Sequence, residues 1–93
     1  MTHDRFPRFP KRFSNRSGFG RFGMRWGTGE QAALVRIEEL TRVYLISIDL
    51  TLEMAREWVV FYERALTRDP RNYSARGRIP LMRRAVELLE ERS

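Results

Sequence analysis

The sequence predicts an all-α protein: a small three-helix bundle preceded by a basic, Gly/Pro/aromatic-rich irregular N-terminal arm. Three observations carry that prediction. Met54, Trp58, Tyr62 and Ala65 recur at helical spacing within Thr51–Leu66, with Ala55, Val59 and Leu66 widening the stripe. Helix start and stop signals punctuate the chain after residue 28, and no second apolar run exists to pair as a strand. The net charge of +6 sits entirely in the first third, where seven cations face only Asp4, whereas residues 30–93 are neutral overall.

The helix over 52–68 is the clearest element. Thr51 suits the N-cap, because its hydroxyl accepts from a first-turn amide, and Glu53 suits the positive end of the dipole. Glu53, Arg56, Glu57, Glu63 and Arg64 form its wet side. Pro70 drives Asp69 out of helical space and ends the helix near Arg68.

Ahead of it, Thr28-Gly29-Glu30-Gln31 reads as a capping box, and the first helix is expected over 29–44. Ala33, Leu34, Ile37, Leu40, Thr41 and Tyr44 make its inner stripe, with Glu38 and Arg42 as an i, i+4 pair on the outer side. Val43–Leu50 is read as the end of that helix plus a buried connection. The third helix is expected over 75–91, with Ser74 as N-cap and a break or restart near Pro80, which cannot donate within a helix. Leu81, Met82, Ala85, Val86, Leu88 and Leu89 supply its buried side.

The arm, residues 1–28, repeats a cation beside an aromatic and then a breaker: Arg5-Phe6, Arg8-Phe9, Arg12-Phe13, Arg21-Phe22 and Arg25-Trp26. Pro7 and Pro10 bar a regular helix, and Gly18, Gly20, Gly23 and Gly27, with Gly29 just beyond, keep the remainder flexible, so the arm is expected to be extended, or partly packed back as an aromatic lid on residues 29–93. Interleaved arginines and aromatics suit single-stranded nucleic acid: guanidinium meets phosphate bidentately, and ring planes stack on unpaired bases. Arginine supplies all but one of the 18 cationic residues, a bias that a GC-rich genome also produces.

The candidate nucleic-acid or anion-binding residues are Arg5, Arg8, Arg12, Arg16, Arg21, Arg25, Arg76 and Arg78, with Phe9, Phe13, Phe22, Trp26 and Tyr73 as aromatic contacts. Arg76 and Arg78 join this set because free amides of a helical turn starting at Ser74 would make an anion-binding corner with them. The competing expectation is that Glu57, Glu63, Asp69 and Glu87 neutralise the C-terminal arginines.

Catalytic chemistry is poorly supplied. The single histidine, His3, lies at the very start, there is one lysine and no cysteine, and no metal-ligand spacing or phosphate-binding glycine loop is present. The sequence therefore predicts no catalytic residues, no metal and no cofactor. A nuclease set of Glu63, Tyr73, Arg76 and Arg78 is the enzymatic alternative. Without a membrane-length apolar run or a signal-peptide core, residence in the cytoplasm is expected, with no membrane association and a homodimer as one assembly state.

Trp58…Phe61-Tyr62, then Asp69-Pro70-Arg71-Asn72-Tyr73-Ser74-Ala75-Arg76-Gly77-Arg78…Leu81-Met82, resembles a small uncharacterised helical module at the C-termini of Rhs-type polymorphic toxins and in stand-alone phage or prophage proteins. The resemblance covers about residues 18–90. It implies a bacterial or phage setting, or host-cell cytoplasm for a phage-encoded protein, and brings no established catalytic residues. The sequence thus predicts a small non-enzymatic nucleic-acid-binding protein, with single-stranded RNA or DNA as the favoured partner. The alternatives are a phage- or toxin-associated protein that modulates a bacterial protein target through the arm's aromatics together with Trp58 or Tyr73, and a toxin nuclease.

Overall fold

The computed structural model describes residues 7–91, and among them the elements are all helical. Helix α1, Arg16–Gly18, runs into a π-helical turn, Phe19–Met24. Then follow α2, Gly29–Ile37; α3, Arg42–Ser47; α4, Leu52–Arg68; and α5, Tyr73–Glu90.

Helix α4 forms over its expected span. Thr51 accepts from the Met54 amide at 3.1 Å, and Ala55, Trp58 and Tyr62 of the stripe are buried. Helix α5 packs against both α2 and α4. At the α2 crossing, Gly77 is required by space: a Cβ there would stand 2.5 Å from the Glu30 carbonyl oxygen and 2.9 Å from the Ala33 Cβ.

The expected 29–44 helix is two elements. It stops at Ile37, buried Leu40 passes through the corner, and the Thr41 hydroxyl accepts from Tyr44 N at 3.0 Å to start α3 afresh. A second N-cap residue inside the helical pattern competes with helix continuation, because its side chain offers an amide the partner that the helix backbone would supply. Glu38 and Arg42 therefore fall on different elements, and Arg36 pairs with Glu39 instead. Leu45, Ile48 and Leu50 of the following stretch are buried, as a connection through the core requires.

Two expectations about α5 are corrected. Its N-cap is Asn72, whose side chain accepts from Ala75 N at 3.0 Å, while the Ser74 hydroxyl accepts from Gly29 N and ties the start of α2 to α5. Pro80 lies inside α5 without a break. Its missing N–H leaves the Arg76 carbonyl without the usual helical donor. Packing of buried Ile79, Leu81 and Met82 on either side holds the helix across that gap. Thr28, expected to cap α2, makes no side-chain capping bond.

The larger departure is from the extended reading of the arm. Between residues 7 and 27 it packs back on the helices, as the lid alternative held, but enters the core instead of covering it. Asn15 caps α1 by accepting from Gly18 N at 2.7 Å, and Arg25 N donates to the Gly20 carbonyl to close the π turn. Phe19, Met24 and Trp26 enter the core with Trp58, which is fully buried. The Trp58 ring lies 5.5 Å from Phe19, 5.6 Å from Trp26 and 5.7 Å from Tyr62. Gly20 permits this closeness, since a Cβ would meet the Trp26 indole at 2.5 Å. Burying three large side chains contributes roughly 5–9 kcal/mol, comparable to the whole stability of a domain this size. The arm is structurally part of the domain.

Polar ties fix it further. Arg8 brackets the Glu57 carboxylate with its backbone N–H and guanidinium, the shortest contact being 2.6 Å, and the Trp58 indole N–H donates to the Arg8 carbonyl at 3.0 Å. The Arg36 Nε donates to the Met24 carbonyl, and the Tyr44 hydroxyl donates to the Gly23 carbonyl.

Candidate functional site

Packing the arm down builds a surface that neither segment has alone. A cleft of about 600 Å³ opens between α1, the segment after the π turn, and the facing sides of α4 and α5. Arg16, Arg21, Arg25 and Arg78 line it, with Trp26, Phe61 and Tyr62 among its walls and, among the described residues, no acidic side chain. A second cleft of about 400 Å³ shares Ser17 and Arg21 with the first and continues to Arg12, Phe13 and Phe22, again without an acid among the described residues. Five arginines that the sequence spreads over 67 positions, from Arg12 to Arg78, thus border two adjoining depressions.

Arg78 is the fixed member of the set. Its Nη1 donates to the Tyr62 hydroxyl at 3.2 Å and its Nη2 to the Gly27 carbonyl at 2.9 Å. The guanidinium stands 4.7 Å from the Trp26 ring centre and 5.6 Å from that of Tyr62. Its Nε is buried and has no acceptor among the described residues. Burial pushes the Tyr62 phenol above its ordinary value, partly offset by the Arg78 charge. Tyr62 is therefore a neutral hydroxyl at physiological pH. Arg21 and Arg25 are exposed, and Arg25 takes a left-handed backbone, φ 57°, as the chain leaves the π turn.

The sequence-predicted residues are thus divided. Arg12, Arg16, Arg21, Arg25 and Arg78 come together. Arg8 does not join them: it is engaged by Glu57, with Glu53 also within 3.6 Å, and Arg5 lies outside the described residues. The Arg76/Arg78 corner does not form. Residues two apart on a helix point in different directions, and Arg76 turns away to donate to the Pro70 carbonyl at 2.8 Å and cover the Tyr73 ring. The Asn72 side chain also occupies an amide that the corner needed.

Among the aromatics, Phe22 is 66% exposed and Tyr73 56%. Phe9 and Phe13 are half-buried against Phe19, and Trp26 is buried, so these three serve the core and not as open stacking platforms. Trp58 is fully buried and cannot anchor a protein partner. The nuclease set also disperses. Glu63 is paired with Arg83 and borders a separate depression with Arg76, while Arg78 lies in the cleft under the arm. The competing expectation holds for Glu63 and Glu87, which pair with Arg83 and Arg84, whereas Glu57 pairs with Arg8 of the arm; Arg56 pairs with Glu90, an acid outside the expected set.

Sequence reasoning missed Phe61 and Tyr62 as cleft walls. Their spacing is that of a core stripe, and nothing local marks a face that a distant arm will half cover. Among the described residues no helix is long and apolar enough to cross a membrane, and no group of His, Cys, Asp or Glu could hold a metal ion.

The chain belongs to the family described as a domain of unknown function (DUF4951), whose model matches residues 1–89 and so takes in the arm as well as the helices. No curated protein and no solved structure matches it.

Proposed function

We propose that this protein binds single-stranded nucleic acid along the face that the arm builds, without catalysing a reaction on it. The observation that carries the reading is the pair of adjoining clefts bordered by Arg12, Arg16, Arg21, Arg25 and Arg78, with no acidic side chain lining them among the described residues. A row of guanidinium groups tracks a phosphate backbone, and exposed Phe22 beside Arg21 offers a ring for an unpaired base. The resemblance of the Ser74–Arg78 element to toxin- and phage-associated modules supports a bacterial or phage-infected cell as the setting for this activity.

The test is fluorescence anisotropy of the full chain with labelled single-stranded RNA, single-stranded DNA and duplex DNA. Arg21 stands on the wall shared by the two clefts, so Arg21→Gln is expected to weaken single-strand binding by a similar factor for every sequence, as loss of a phosphate contact does. Equal binding by wild type and variant, or a preference for duplex, would refute the reading.

A second reading, docking onto a bacterial protein, draws on exposed Val35, Val43 and Ile46 of α2 and α3. It is distinguished by Val43→Asp, which would abolish capture of such a target and leave nucleic-acid binding unchanged.

A further inference from the structure

We infer that the larger cleft is a pocket for a terminal phosphate: it takes the phosphomonoester of a nucleotide, at the end of a strand or free. This rests on the nucleic-acid reading above and deepens it. The first argument is size. About 600 Å³ lies within the range of small-ligand sites and accommodates a nucleotide unit, not a helix or a duplex.

The second argument is charge. Arg16, Arg21, Arg25 and Arg78 border this one cleft, and among the described residues no acid lines it. An internal phosphodiester brings a single negative charge. A phosphomonoester brings nearly two at neutral pH, with three acceptor oxygens. Four guanidinium groups on one nucleotide-sized space match the monoester better.

Preorganisation is the third. Arg78 is held at two nitrogens by the Tyr62 hydroxyl and the Gly27 carbonyl and lies over the Trp26 ring, so its charge is fixed before any ligand arrives. Little side-chain entropy remains to be lost on binding. Its buried Nε still lacks an acceptor among the described residues. Arg21 and Arg25, exposed at the rim, are placed to close on the outer oxygens, and the Thr28 hydroxyl adds a neutral donor. The phosphate therefore sits between the fixed Arg78 guanidinium and the exposed Arg21 and Arg25.

The test uses the full chain and one short strand in three forms: a 5′-phosphate, a 3′-phosphate and hydroxyls at both ends, with the label at the end opposite the phosphate. A phosphorylated end is expected to bind about tenfold more tightly than the hydroxyl strand, the worth of one strong charge-assisted hydrogen bond. Arg25→Asn removes a cation while suiting the left-handed backbone there. It is expected to weaken every strand as the loss of one phosphate contact does and, beyond that, to erase the advantage, so that the phosphorylated and hydroxyl strands bind it equally. Adenosine monophosphate, with adenosine as control, tells the sources apart. Displacement by the monophosphate alone assigns the pocket to free nucleotides as well, and an advantage confined to strands assigns it to strand ends; both uphold the pocket. Equal affinity for all three strands, with no displacement by the monophosphate, would overturn it while the strand-binding face stands. Failure to bind any strand refutes the face itself and the pocket with it.

Discussion

Two substitutions four residues apart in the arm, Trp26→Ala and Phe22→Ala, should have opposite consequences. Trp26 is 6% exposed and makes edge contacts with Phe19, Trp58 and Tyr62 at 5.6–5.8 Å. Truncating a buried aromatic of this kind costs about 3–5 kcal/mol. Loss of the ring beneath the Arg78 guanidinium adds about 0.5–2 kcal/mol. The sum, roughly 3.5–7 kcal/mol, is a large part of the roughly 5–14 kcal/mol expected for a chain of this length. Phe22, by contrast, contributes little packing, and its removal should change stability by no more than about 0.5 kcal/mol. Its effect should appear in binding instead, as a loss of about 1–3 kcal/mol for one stacked base. Urea unfolding followed by far-UV circular dichroism measures the first effect, and anisotropy with single-stranded RNA the second. A Trp26→Ala protein within about 1 kcal/mol of wild type would refute the claim that the arm is core. Destabilisation by Phe22→Ala as large as by Trp26→Ala would refute the division of labour within it.

A chain starting at Thr28 should fail to fold independently, since it loses Phe19, Met24 and Trp26 and bares Trp58; retained cooperative unfolding in that fragment would contradict the fold described here. Gly77→Ala gains about 1 kcal/mol of helix propensity but sets a methyl 2.5 Å from the Glu30 carbonyl, so a net loss of at least about 1 kcal/mol should appear in the urea midpoint. Hydrogen bonds from Arg8 hold the Glu57 carboxyl below its ordinary value of 4.5. That contribution is complete above pH 4.5 and is lost as pH falls through the lower folded-state value, so Glu57→Gln should flatten the acid limb of the stability profile. Because Arg8 is exposed and Glu57 only half-buried, solvent screens the pair and it stabilises the fold only weakly, and an unchanged acid limb would place the loss elsewhere.

The helical period of Thr51–Leu66 was enough to place α4, because a half-buried helix writes its environment into its own residues. The same logic fixed the buried stretch around Leu45–Leu50. It failed at Thr41, where a side-chain cap overrode continuous apolar spacing, and at Pro80, where tertiary packing on both sides outweighs one lost hydrogen bond. The arm was the hardest part. Its glycines read as flexibility, yet Gly20 serves close packing against Trp26, and its phenylalanines divide between core and surface by contacts with residues more than thirty positions away. Among the site residues, the arginines were legible as cations. Which of them converge was not, since Arg8 and Arg76 are diverted by Glu57 and by Pro70 and Tyr73, partners that charge counting cannot assign.

The salt dependence of single-strand binding tests the central claim most directly. If Arg12, Arg16, Arg21, Arg25 and Arg78 each meet one phosphate, the log–log slope of affinity against salt should approach −3.5, at about 0.7 per contact on a single strand. Measured by anisotropy on the full chain between about 50 and 200 mM salt, a slope of that size, reduced by close to one contact in Arg21→Gln, is the result predicted here. A slope near zero, or no binding at the lowest salt, would contradict a basic face that grips nucleic acid.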